Sequence, residues 1–324
     1  MKSTTVLFTF LFSAWLGCSL AQDSTDFESS IITENTLVAS YFINDNEGWL
    51  ADNTGILWHT TNAAQSWSSI ATEKYFVKLH FVDAQNGYGL TSDAAYKTTD
   101  EGNTWSVLSL PGSIGTALYF LNGESGFIGG NEVIYKTVDG GTTWSTVSTQ
   151  GVSFVDYYFV NTSVGIAAAY DADSSRCIWR TIDGGQTWKN VYSKENYFIN
   201  SVWFTNENTG WAAGYYAKTG LGKFPVINQT TDGGLTWKNV YINRYPGDIK
   251  GEELFDIRFR NELEGFTLST YSESLTTIDG GLTWKLTYHD DGTELLPSYG
   301  IYKTLDGYSE MYLAGREGYV TKWK

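Results

Sequence analysis

Six carboxylates stand where they could do acid–base chemistry: Asp156, Asp171, Asp173, Glu252, Glu253 and Asp256. Two such groups facing each other across a cleft suffice to hydrolyse a glycosidic bond, one as proton donor and the other as base or nucleophile. A second set, Lys78, His80, Tyr158, Trp203, Tyr215, Tyr216, Arg244, Tyr245 and Arg258, mixes cations with aromatic faces. That mixture suits a peptide or sugar held by stacking and hydrogen bonding. The three histidines, His59, His80 and His289, have no metal-ligand spacing. The run Asp171-Ala172-Asp173-Ser174-Ser175 lacks the glycine and distal glutamate of a calcium loop. No metal and no cofactor is expected.

These residues sit in a repeat. Five copies of one phrase run from Thr98 to Trp105, Thr137 to Trp144, Thr181 to Trp188, Thr230 to Trp237 and Thr277 to Trp284, and a worn copy from Thr60 to Trp67 carries Asn62 and Ala64. Self-similarity at a period of about 40 residues dictates architecture before any single side chain is read. In each copy the aspartate (Asp100, Asp139, Asp183, Asp232, Asp279) should accept hydrogen bonds inside its own turn. The glycine (Gly102, Gly141, Gly185, Gly234, Gly281) should take the left-handed conformation. The tryptophan (Trp105, Trp144, Trp188, Trp237, Trp284) should pack its indole against the neighbouring sheet. All fifteen are expected to be structural.

A second phrase precedes each copy: a Phe, then Asn or Asp two residues later, then Gly. It occurs as Phe42-x-Asn44 with Gly48, Phe81-x-Asp83 with Gly87 and Phe120-x-Asn122 with Gly126, and again from Phe159, Phe204 and Phe259. This is hairpin chemistry, in which the short polar side chain caps the turn and the glycine is expected to accept positive φ. Each unit therefore reads as four short antiparallel strands, too small to bury a core alone, which specifies a propeller blade. The all-β fold expected is a seven-bladed β-propeller. Its last blade is closed by pairing a strand from residues 29–36 with the C-terminal strand, which removes an open edge.

The Phe gives every inner strand a common ruler. One residue before it lie Tyr41, His80, Tyr119, Tyr158, Trp203 and Arg258, and three before it Ala39, Lys78, Ala117, Asp156, Ser201 and Asp256. Charges at such depth need partners. Spacing between copies rises from 38 and 39 residues to 44, 49 and 47. The additions fall at residues 170–177, 215–225 and 243–253, with a further loop at 289–297, all on the face away from the repeated aspartates. Long loops on a rigid scaffold commonly carry binding.

These phrases resemble the Asp-box, or bacterial neuraminidase repeat, Ser/Thr-x-Asp-x-Gly-x-x-Trp. The fuller frame over about residues 37–323 is similar to the photosystem II assembly and stability factor family and its bacterial relatives. The resemblance implies a propeller whose boxes are remote from any catalytic or binding centre. Sialidases share the box but need an arginine cluster, and the six arginines here fall at unlike repeat positions, with Arg258 alone well placed for the channel. Xyloglucanases of this type resemble two propellers in tandem, whereas one is present.

The chain has 324 residues and a net charge of −15. A nucleic-acid partner is excluded, because phosphate binding needs a basic stripe. Lys2, the apolar run Val6 to Leu16 and Ser19-Leu20-Ala21 read as a secretory signal over residues 1–21, too short to span a membrane. A lipoprotein cleaved before Cys18 is the alternative. Residues 22–30 read as linker and 31–324 as a single propeller, a monomer, secreted, periplasmic or at the cell surface. With Cys18 in the leader and Cys177 alone beyond it, no intramolecular disulfide forms. The expected role is a non-catalytic binding or assembly module for a protein or glycan, recognised on the face opposite the boxes. The alternative is a glycoside hydrolase or polysaccharide lyase using acids on that face.

Overall fold

The computed structural model describes residues 27–130, 132–149, 151–170, 176–242, 253–269, 273–288, 311–314 and 319–323. Six four-stranded antiparallel sheets follow one another along the chain, each with its strands in sequence order. Blade 4, for example, runs Ser153–Phe159, Gly165–Tyr170, Arg176–Thr181 and Lys189–Ser193. The expectation of seven four-stranded blades is corrected to six. The chain ends instead meet in a three-stranded sheet, in which Phe27–Ile31 pairs antiparallel with Tyr319–Trp323 and that strand pairs with Met311–Ala314. The N-terminal strand begins at Phe27, inside the stretch expected to be linker. Edge pairing of the two termini thus takes the place of a further blade among the described residues.

Why the Phe and Gly phrases recur is visible in the register. Phe42 pairs with Gly48, Phe81 with Gly87, Phe120 with Gly126, and so through Phe159, Phe204 and Phe259. A Cβ added at Gly126 would stand 2.3 Å from the Phe120 ring, and one at Gly48 only 2.0 Å from Phe42. None of these glycines has positive φ, so the expected turn role is corrected: each is small because the phenylalanine ring lies over it. The capping half of the reading holds, since Asn44 Oδ1 accepts from the backbone N–H of Asn46 and Glu47.

Those rings join blade to blade. Trp49 stacks on Phe81 of the next blade at 3.7 Å, Tyr88 on Phe120 at 3.4 Å, Phe127 on Phe159 at 4.6 Å and Trp211 on Phe259 at 3.7 Å. Each repeat tryptophan then meets the phenylalanine of its own blade edge-on, as Trp237 meets Phe204 at 90°. It also joins the apolar cluster shared with the preceding blade. Offset and edge-on ring pairs of this kind add stability beyond area burial.

The aspartate turns lock the same seam. Thr104 N and Oγ1 donate to the two oxygens of Asp100, and Gly102 N donates to Thr98 Oγ1. Gly102 has φ 91°. The cation preceding the turn in one blade reaches the next: Lys97 Nζ donates to Gly140 O, Lys136 Nζ to Gly184 O and Arg180 Nε to Gly233 O. The insertion at 215–225 is a continuation of hairpin rather than a loose loop. In blade 5 the second and third strands, Gly210–Lys218 and Gly222–Thr230, pair over their whole length around Thr219-Gly220-Leu221. Most of 170–177 and 243–253, and all of 289–297, lie outside the described residues.

Candidate functional site: a charged ring in the central channel

The first strands of the blades converge on a cavity of about 70 Å³. Its wall includes Tyr41, Lys78, His80, Tyr119, Asp156, Tyr158, Trp203, Asp256 and Arg258. These are the residues one and three before each repeat phenylalanine, which share a face because side chains alternate along a strand. In four of the six first strands the pairing register slips immediately before the deeper position, for instance between Phe154 and Asp156 and between Leu254 and Asp256. A bulge there re-aims the side chain that follows, a device common beside functional sites.

Four groups from three blades meet on one side. Ser201 Oγ lies 2.7 Å from Asp256 Oδ1 and 3.0 Å from Asp156 Oδ2, and it accepts from Arg258 Nη1 at 2.9 Å. A hydroxyl carries one hydrogen, so Ser201 donates to one carboxylate at a time. The nearest oxygens of the two acids are therefore within about 6 Å of each other. Asp156 also accepts from Val202 N at 3.1 Å, and Asp256 from Ile257 N at 3.0 Å. Arg258 pairs with Asp256 at 2.5 Å and lies over the Trp203 ring at 5.0 Å. Asp256 is 3% exposed. Burial pushes its carboxyl above the usual range; Arg258 opposes this, Asp156 reinforces it, and Ser201 and Lys78 pull it back.

Aromatic rings continue the wall around and beside these charges. Tyr41 and His80 lie 4.6 Å apart and His80 and Tyr119 5.2 Å apart, while Tyr158 meets Trp203 edge-on at 5.1 Å. His80 is buried, and its Nε2 accepts from Phe120 N at 3.3 Å. Burial likewise raises the hydroxyls of Tyr119 and Tyr158. The channel thus sets one lysine, one arginine and two carboxyl groups among aromatic side chains.

Other expected site residues stand elsewhere. Tyr215 and Tyr216 belong to the long hairpin of blade 5, where Tyr215 stacks on Phe198 at 4.6 Å and Tyr216 lies 5.2 Å from Tyr197. Glu253 pairs with Lys223 of that hairpin, not with the channel acids. Asp171, Asp173, Arg244, Tyr245 and Glu252 lie outside the described residues. Ser201 was not singled out by its chemistry, although its repeat position is that of Asp156 and Asp256. Among the described residues no group of three or more acidic, His or Cys side chains could hold a metal, and no helix is long and apolar enough to cross a membrane.

Residues 69–191, from the end of blade 1 through blade 4, match the family model described as Photosynthesis system II assembly factor YCF48. Over that stretch the chain is similar to the YCF48 family. No curated protein sequence matches it. The solved structure of YCF48 bound to D1 peptide superposes with a TM-score of 0.68 at 19% identity, over 94% of this chain and 98% of that one. YCF48 from Cyanidioschyzon merolae gives 0.67 at 17%, over 92% and 98%. The GH74 xyloglucanase from Xanthomonas campestris gives 0.67 at 12%, over 90% of this chain but 52% of that chain, so the propeller corresponds to about half of the enzyme. At these identities the likenesses show a β-propeller fold alone, and the site is read from this chain's own residues.

Proposed function

We propose that this chain is a non-catalytic binding propeller that takes an extended protein segment across the face opposite the aspartate turns, with one polar group of that segment entering the channel. The carrying observation is the cavity itself, with Lys78 and Arg258 set beside Asp156 and Asp256 and the faces of Tyr158 and Trp203. Its 70 Å³ is far below the roughly 300–1,000 Å³ of ordinary ligand pockets, so the bulk of a ligand must rest on the rim. The peptide carried by the similar YCF48 structure supports a protein ligand. The N-terminal apolar run supports export, and the chain is proposed to act as a monomer, checked by light scattering.

A second reading, a glycan-cleaving enzyme, is favoured by the convergence of Asp156 and Asp256, whose separation suits a retaining hydrolase. Against it, both carboxylates already accept from Ser201 or backbone N–H groups, and Asp256 is sealed from solvent. The deciding experiment screens peptide arrays and a polysaccharide panel with the wild type, Lys78→Met and Asp156→Asn, scoring binding and cleavage separately. Peptide binding that weakens in both variants supports the proposal. Glycan cleavage abolished by Asp156→Asn would overturn it.

A further inference from the structure

The face bearing the aspartate turns is not uniformly polar. The residue between the threonine and the aspartate is Thr61 and Thr99 in blades 1 and 2, but Val138, Ile182 and Ile278 in blades 3, 4 and 6. The residue after the second glycine position is Gln65 and Asn103 in blades 1 and 2, but Leu235 and Leu282 in blades 5 and 6. With Leu263 in the neighbouring turn of blade 6, these six side chains are each more than half exposed, Leu282 at 77%. Repeat equivalence supplies an internal control. Blades 1 and 2 build the same turn with polar residues, so the turn does not require aliphatic ones. Four consecutive blades therefore expose an arc of aliphatic side chains that packing does not explain, which marks an interaction surface.

The surroundings of the arc select its partner. Every aliphatic position is flanked by a turn carboxylate, Asp139, Asp183, Asp232 or Asp279, and Glu124, Glu207 and Glu262 stand exposed in the adjacent turns. The turn hydrogen bonds from Thr143 and Thr236 hold Asp139 and Asp232 ionised, down to about 2. The cations at these turns are engaged: Lys97, Lys136 and Arg180 by the carbonyls of Gly140, Gly184 and Gly233, and Arg260 by Glu264. Lys189, Lys238 and Lys285 begin the outermost strands, at the perimeter. An acidic surface studded with aliphatics repels an anionic membrane and a second copy of itself.

We propose that the aspartate-turn face of blades 3–6 is a docking surface for a cationic amphipathic protein segment, its apolar side chains on Val138, Ile182, Leu235, Ile278 and Leu282 and its lysines or arginines between the turn carboxylates. This surface is separate from the channel. The test uses the purified full chain and a synthetic leucine–lysine amphipathic helix of about 18 residues, with a leucine–glutamate helix and phosphatidylcholine and phosphatidylglycerol vesicles as comparison probes. The key variant carries Val138→Thr, Ile182→Thr, Ile278→Thr and Leu282→Asn, residues that blades 1 and 2 use at the same positions, so net charge and turn chemistry are unchanged. The expected result is binding of the leucine–lysine helix that weakens at least about tenfold in the variant and at raised salt, with an unaltered melting curve. Equal binding by wild type and variant would overturn the proposal, as would equal binding of the leucine–glutamate helix, binding of vesicles alone, or wild-type self-association lost in the variant. Should the fourfold variant melt early, Ile182→Thr and Leu282→Asn are tested singly, and unchanged binding in both overturns it.

Discussion

Replacing Arg258 with methionine tests how the channel charges hold one another. Arg258 pairs with Asp256, donates to Ser201 Oγ and to Ile257 O at 2.8 Å, and lies over the Trp203 ring. Methionine keeps the stem against Trp203 but leaves Asp256, 3% exposed, without its cation and close to Asp156. Removing one partner of a buried pair costs about 3–5 kcal/mol. The pH dependence has a definite sign. The folded Asp256 carboxyl lies above its ordinary 3.8, so its favourable contribution is complete below 3.8 and is lost as pH climbs through the folded value. Without Arg258 that value rises further, so the variant should regain stability on acidification to a greater extent than the wild type. Urea unfolding near pH 7 and near pH 5 measures this. The expected loss is about 3–5 kcal/mol near pH 7 and clearly less near pH 5. A loss below about 1 kcal/mol with no pH dependence would refute the coupling of Asp256, Ser201 and Arg258 described above.

Four further outcomes follow from the local surroundings of named residues. Gly126→Ala forces a Cβ to 2.3 Å from Phe120 and should cost about 1–3 kcal/mol by thermal melting. Gly123→Ala, with nothing within 4 Å, should change stability by less than about 0.5 kcal/mol. Carboxyl NMR should find Asp232 titrating at about 2, because Thr236 holds its ionised form; this depressed value gives stability that is present above 3.8 and lost as pH falls towards 2. An ordinary titration near 3.8 would show that the turn does not hold the carboxylate. Asp52, fully buried, accepts from Thr54 N and Oγ1, Ile56 N, Trp58 Nε1 and Asn35 Nδ2. Asp52→Ala orphans those donors and should destabilise by more than about 2 kcal/mol in urea unfolding.

Much of the blade was legible because its determinants are local. The aspartate turn closes within eight residues, so Asp232 and Thr236 reveal their hydrogen bonds through spacing alone. The ring positions were legible too, since alternation from a fixed phenylalanine puts Asp156, Trp203 and Arg258 on one face. The glycine opposite each phenylalanine was misjudged. Its smallness answers a ring across the strand pair, and nothing in the turn itself distinguishes that from a conformational need. The hairpin of blade 5 looked like a loop because continued pairing depends on a partner strand rather than on local sequence.

By itself the sequence determined a repeated four-stranded blade, its turn chemistry and the depth of each channel residue, all set by contacts within a few residues. The pairing of the two chain ends was expected from the repeat, but only the tertiary structure decided that it yields a three-stranded sheet beside six four-stranded blades, because that count depends on strands from opposite ends of the chain. It also decided which charges meet. Asp156, Ser201 and Arg258 come from three blades, and their contact follows from the curvature that brings those first strands round one axis, a property that no single repeat contains.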